Sequence, residues 1–277
     1  MAETWRLIID SSNGEGGWNM ARDEAILTAV GNRESHPTLR VYGWDPTCLS
    51  LGSAQKAADC DLDRLAAHDW GLVRRRSGGR AILHTDELTY SVALPLDHPL
   101  AAGGVLESYR RLSTGLLRMA AMVGVDASLA RRSTQDGAAQ HGGQLPPVCF
   151  ETPSDYEIVA GGRKLIGSAQ VRILNGVLQH GTLPLTGDLA RICDALVFPD
   201  EAARDESRAA VRERAITFTE AAGHVLDWDH VAEAMMLAFA ATFDLHFVPD
   251  TLSDREIEHA EKLLIDRYAT ESWTFSR

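Results

Sequence analysis

The sequence has no run long and apolar enough to span a bilayer, which argues against an integral membrane protein. Its first residues, Met1-Ala2-Glu3-Thr4-Trp5-Arg6, lack a basic segment followed by an apolar one, so no signal peptide is expected. The four cysteines, Cys48, Cys60, Cys149 and Cys193, include no CxxC pair and no cluster with histidine at zinc spacing. No metal site is therefore expected. Positive charge is also in deficit: Lys plus Arg is 27 against 39 for Asp plus Glu, a net charge of −12. That balance disfavours non-specific nucleic-acid binding, and an acidic protein partner would need a local basic patch. Neither an internal repeat nor a low-complexity tract is present. A cytoplasmic protein with reduced thiols is the simplest expectation. Each thiol is then either a small buried hydrophobe or a nucleophile.

What is present is ordinary for a globular chain: 277 residues, 45% hydrophobic and 24% charged. With no clear linker, one α/β (α+β) domain over 1–277 is expected. It should carry a mixed, largely antiparallel sheet flanked by helices. Strands are expected over 5–9, 39–42, 49–51, 72–76, 81–84 and 88–94, with a polar, Gly-rich loop over 11–17. Asn19 is expected to cap a first helix bearing Met20, Ile26, Leu27 and Val30. A helix over 105–123 places Leu106, Tyr109, Leu112, Leu116, Met119 and Met122 at helical spacing, and Gly124 ends it. Residues 131–147 are small or polar and read as a long loop. Two hairpins follow, one around Gly161-Gly162 and one around Asn175-Gly176, a type I′ signal. The end of the sequence turns helical, at 217–222, 230–243 and 253–268.

One segment is hard to explain as packing alone. Arg74-Arg75-Arg76-Ser77-Gly78-Gly79-Arg80 leads through an apolar run to His84 and on to the strand over 88–94. Glycines let a backbone approach a ligand closely, and arginines supply planar donors to an acyl phosphate or a phosphopantetheine arm. The same arginines could instead line an exposed strand edge. Farther on, Pro146-Pro147-Val148-Cys149-Phe150 ends the long loop. Lys164 then follows a tight turn, with Gly167, Ser168, Ala169 and Gln170 close behind. A lysine near a cysteine favours thiolate, and the pair suffices for acyl transfer through a thioester. Read singly, Lys164 is a solvated hairpin residue, and His84 and His180 are satisfied structural histidines.

Taken together, these segments resemble the lipoate-protein ligase A superfamily, which includes octanoyltransferases and is related to biotin protein ligases. The matching pieces are Asn19 to Ala25, Arg40 to Pro46, the arginine loop, Lys164 to Gln170, and Gln179-His180-Gly181. Within that superfamily the chain most resembles the cysteine-dependent, LipM-type octanoyltransferases. Cys149 stands where they carry the acyl-thioester cysteine. Arg80 replaces a third glycine common in ATP-using ligases. The sequence ends at Trp273-Thr274-Phe275-Ser276-Arg277, which leaves no room for the ligases' extra C-terminal domain. One departure is that Thr85 follows His84 where the family usually has aspartate, the acid coming next, at Asp86.

The resemblance implies a biotin/lipoate ligase-like catalytic domain with Cys149 and Lys164 catalytic. Arg75, Ser77, Gly78, Gly79, Arg80, His84, Gly167, Ser168, Ala169, Gln170 and His180 would bind substrate. Octanoyl would pass from acyl carrier protein to Cys149, then to a lysine of the glycine cleavage H protein or another lipoyl domain. Backbone amides near Gly78, Gly79 and Gly167 would face the developing oxyanion. No cofactor is implied, since the acyl group arrives activated. ATP and Mg enter only under the alternative, a lipoate–protein ligase that makes an acyl-adenylate and leaves Cys149 incidental. An octanoyl amidotransferase drawing on the H protein, and a non-catalytic binding homologue, are the other readings. An acidic carrier would dock on a basic face, with Arg74, Arg131 and Arg132 as candidates.

Overall fold

The computed structural model describes residues 2–130 and 157–277. In chain order its strands are β1 (Glu3–Gly14), β2 (Thr38–Trp44), β3 (Cys48–Leu51), β4 (Gly71–Arg74), β5 (Ile82–His84), β6 (Glu87–Pro95), β7 (Ala127–Ala130), β8 (Glu157–Ala160), β9 (Arg163–Ile173), β10 (Gly176–Pro184) and β11 (Leu245–Pro249). Eight of them form one mixed sheet in the order β11-β1-β2-β6-β10-β9-β8-β7. β1 runs parallel to β2 and β11, and the other neighbours are antiparallel. A small second sheet, β4-β3-β5, lies beside it. This is the mixed, largely antiparallel architecture expected from sequence.

The helices are α1 (Gly16–Gly31), α2 (Leu62–Ala67), α3 (Val105–Met122), α4 (Glu201–Arg214), α5 (Phe218–Ala222), α6 (Trp228–Phe243), α7 (Asp254–Leu263) and α8 (Glu271–Thr274). Alternation along β6 assigns the two faces of the large sheet. Leu88, Tyr90, Val92 and Leu94 enter a core with Leu112, Leu116 and Met119 of α3 and Met235 and Phe239 of α6. Thr89 and Ser91 point the other way, toward α1, and both are buried. α1 is the crossover that a parallel β1–β2 pair requires. Residues 189–195, a 3-10 helix, and α4 cover the small sheet around Leu49, Leu83 and Cys193.

Several local expectations change. β1 continues to Gly14, so the polar loop is short, and α1 starts at Gly16. Asn19 therefore lies inside the helix and does not cap it. Its amide donates to the carbonyls of Gly14 and Gly43 at 3.0 Å each. The second hairpin turns on Leu174 and Asn175, both at positive φ, one place earlier than expected. Gly176 is already in the strand, where a β-carbon would stand 2.7 Å from Leu27 Cδ1. β9 is one strand where two were expected, and α7 ends in a π turn over Leu264–Tyr268. Residues 131–147, read as a loop, lie outside the described residues. No helix among the described residues is long and apolar enough to cross a membrane.

Candidate active site

The arginine loop is built inward. Arg74 is 0% exposed. Its guanidinium donates to the carbonyls of Gly52 (2.8 Å), Gln55 (2.7 Å) and Thr274 (2.9 Å). Arg75, also buried, donates to the carbonyls of Ser50 (2.8 Å), Gly78 (3.0 Å) and Arg80 (2.7 Å). Arg75 thus cinches the chain around Ser77-Gly78-Gly79, and Arg74 ties the neighbouring 52–55 turn to the C-terminal segment at Thr274. Gly52 completes the fold-back, since a β-carbon there would lie 1.9 Å from the Gly79 carbonyl oxygen. Two sequence expectations fall here. These residues are no exposed strand edge, and Arg74 cannot belong to a basic docking face. Arg131 and Arg132 lie outside the described residues. Arg76 is the outward member, packed 5.9 Å from the Trp273 ring.

Beside the loop, at Arg75, is a narrow cavity of about 20 Å³. Its wall includes Met20, Trp44, Ser50, Arg75, His84, Thr89, Gly167, Ala169, His180 and Thr182. His84 stacks on Trp44 with ring centroids 3.9 Å apart. Its Nε2 is 2.8 Å from Ser50 Oγ and its Nδ1 is 2.7 Å from Glu87 Oε1. Glu87 also accepts from the hydroxyls of Thr89 and Thr182. The acid serving the loop histidine is thus Glu87, on the first position of β6. Thr85 is not its substitute, and Asp86 turns to the surface to pair with Arg191.

His180 enters the cavity from β10. Its Nε2 is 2.6 Å from Ser77 Oγ, and its Nδ1 is 3.8 Å from Asp23 Oδ2. Burial pushes the imidazole down to about 4, against the opposing pull of Asp23, so the ring is neutral near pH 7. Asp23 accepts from Arg40 (2.8 Å), Tyr42 (3.0 Å) and Ser91 (2.8 Å). Neither histidine is solvated, so both are satisfied structurally while lining the cavity.

The antiparallel register sorts the Gly167–Gln170 run. Gly167 pairs with Thr182, and Ala169 with His180, so these two face the cavity. Ser168 and Gln170 face α3. Ser168 Oγ meets Tyr90 Oη at 2.9 Å, and Gln170 donates to Gln179 Oε1 at 3.1 Å. Lys164 is 4% exposed, which removes the reading of a solvated hairpin residue. Its Nζ lies 2.9 Å from Glu157 Oε1, itself buried. A β-carbon built on Gly167 would stand 3.8 Å from Lys164 Cε, which brings the lysine to the cavity edge. Cys149 lies outside the described residues. Cys48, Cys60 and Cys193 are buried. Burial alone pushes the Cys48 thiol up to about 12, and burial above all does the same at Cys60. Among the described residues no His, Cys, Asp or Glu cluster is placed to hold a metal ion.

Residues 15–240 match the lipoyl protein ligase A/B catalytic domain. The chain belongs to this family. It is 39% identical to the octanoyltransferase LipM of Kyrpidia tusciae, over 99% of this chain and 100% of that protein. It is 34% identical to the octanoyltransferase LipM of Bacillus subtilis, over 99% of each chain. Among solved structures, a bi-partite lipoate protein ligase of Thermoplasma acidophilum superposes with a TM-score of 0.79 at 26% identity, covering 99% of this chain and 96% of that one. The family resemblance is confirmed, and at this identity over the full length the chain is an acyltransferase. The site suits that chemistry: a buried ammonium, a neutral imidazole at His180 and a narrow room with Arg75 of the glycine loop in its wall.

Ser50, Glu87, Asp23 and Thr182 were not singled out from sequence. Thr182 was legible, being two places from His180 on one strand and hence on its face. Glu87 was legible too, as an acid three residues after His84. Ser50 gave no such signal, since only the pairing of β3 with β5 brings it to His84.

Proposed function

We propose that the protein moves an octanoyl group from acyl carrier protein to a lysine of the glycine cleavage H protein through a thioester on Cys149, in lipoate biosynthesis in the cytoplasm. The observation that carries this reading is the buried Lys164–Glu157 pair at the cavity edge. A desolvated ammonium stabilises both a thiolate and the oxyanion of a tetrahedral intermediate. Three of the four thiols are buried, two of them raised to about 12, which leaves Cys149 as the candidate nucleophile. Glu157, the partner of Lys164, follows Cys149 by only eight residues in the sequence. Full-length similarity to octanoyltransferases points to the acyl group.

The Cys149 thiolate attacks the donor thioester, and the carrier's thiol departs. The acceptor amine then attacks the enzyme thioester, the C–N bond forms, and the C–S bond breaks to return the thiolate. The acyl group arrives activated, so no ATP or metal enters. Likeness to an archaeal lipoate ligase favours a second reading, ATP-dependent ligation of free lipoate. The two part in one assay. Purified protein, octanoyl carrier protein and apo-H protein without ATP should yield octanoylated H protein. Transfer seen only with free acid and ATP supports the ligase and sinks the transferase.

A further inference from the structure

Aminolysis of a thioester liberates a proton from the attacking amine, and the wall of the cavity holds one group built to take it. Lys164 sits in an ion pair with Glu157, an arrangement that donates hydrogen bonds and stabilises anions. His180 is a weak base, held near 4 by burial. Asp23 and Glu87 are each encircled by three donors. His84 differs. Its Nδ1 lies against the Glu87 carboxylate, which fixes the proton on Nδ1 and leaves the Nε2 lone pair to accept. Ser50 Oγ–H donates into that lone pair at 2.8 Å, and Arg75 Nη1 donates to the same oxygen at 3.1 Å. The stack on Trp44 holds the imidazole in plane.

Resting on the transferase reading above, we propose that Ser50, His84 and Glu87 form the proton relay of the second half-reaction. The acceptor ammonium first passes one proton to Ser50 Oγ while the Ser50 proton passes to His84 Nε2, and the freed amine nitrogen then bonds to the acyl carbon. The C–S bond breaks with its electron pair on Cys149 Sγ, and the departing sulfur takes the second amine proton. His84 returns its proton through Ser50 to water, so nothing is consumed. Arg75 steadies the charge that builds on Ser50 Oγ, and Glu87 the imidazolium. The arrangement has the geometry of a hydrolase triad. Here its serine carries a proton and Cys149 carries the acyl group.

A base matters for an amine that is protonated near neutral pH and little for one that is not. The test therefore compares acceptors on the preformed acyl-enzyme. In His84→Gln, each transfer rate is read per acyl-enzyme formed on Cys149, so that any partial change in loading cancels. Transfer to the H-protein lysine should fall about 10²-fold, the usual worth of a general base. Transfer to hydroxylamine should fall less than about tenfold, because that nucleophile needs no base at pH 7. Ser50→Ala should give the same split and covers the case in which His84→Gln does not fold. Equal losses with both acceptors, or loss of loading itself, would assign the trio a structural role and overturn the relay. A parent enzyme that never loads on Cys149 would overturn the transferase reading and the relay together.

Discussion

Lys164 Nζ lies 2.9 Å from Glu157 Oε1, and the two are 4% and 1% exposed. Removing one partner of such a buried pair strands the other charge, which costs about 3–5 kcal/mol. Lys164→Met should therefore destabilise the protein strongly. Lys164→Met combined with Glu157→Gln should recover most of that loss, and neither variant should transfer acyl groups. Urea unfolding together with the ATP-free transfer assay reads both effects. A double variant as unstable as the single one would contradict the pairing.

Arg74 is a fastener of backbone, unlike a docking residue. Arg74→Ala orphans buried carbonyls of Gly52, Gln55 and Thr274, a loss of roughly 3 kcal/mol or more. The melting temperature should fall by several degrees, on the order of 5–10 °C. The salt dependence of carrier-protein binding should be unchanged in whatever fraction remains folded. A weakened salt dependence with normal stability would restore Arg74 to the docking face.

Gly52 and the glycine loop interlock. In Gly52→Ala the new β-carbon would stand 1.9 Å from the Gly79 carbonyl oxygen, so the loop must move. Overpacking of this kind costs about 1–3 kcal/mol. Acyl transfer should drop far more than stability does, because moving the loop shifts Arg75, which is bonded to Gly78 and Arg80 and lines the cavity. Full activity in a stable Gly52→Ala protein would separate the loop from function.

His180 makes stability depend on pH. Its value is about 4 in the folded protein against 6.5 in the free side chain. The unfolded chain binds the proton more readily, so folding gains from a neutral His180. That gain is fully present above about pH 6.5 and is lost as pH falls through 4. It amounts to about 3 kcal/mol. Denaturant midpoints of the parent and of His180→Gln at pH 7 and pH 4.5 should show the smaller acid loss in the variant. Equal losses would mean that His180 titrates normally.

Much of the fold could be read from residues. Alternation along Leu88 to Leu94 and helical spacing along Leu106 to Met122 each report a local environment, and both elements formed. β11 and α4 were missed: β11 has only Leu245 buried, and α4 buries little beyond Arg204, Ser207 and Val211. In the site, the loop and Lys164 carried local signals. Glu87, three residues after His84, carried one as well, whereas Ser50 did not, because its role arises from the pairing of β3 with β5. The direction of Arg74 was misjudged for a related reason. A charged side chain reads as solvated until the carbonyls that bury it are known.

The central claim is that Cys149 carries the acyl group. The direct measurement is the intact mass of the purified protein after incubation with octanoyl carrier protein in the absence of ATP. The account predicts one added octanoyl group on the parent, removed by neutral hydroxylamine, and none on Cys149→Ser. An unmodified parent, or an adduct that persists in Cys149→Ser, would contradict it.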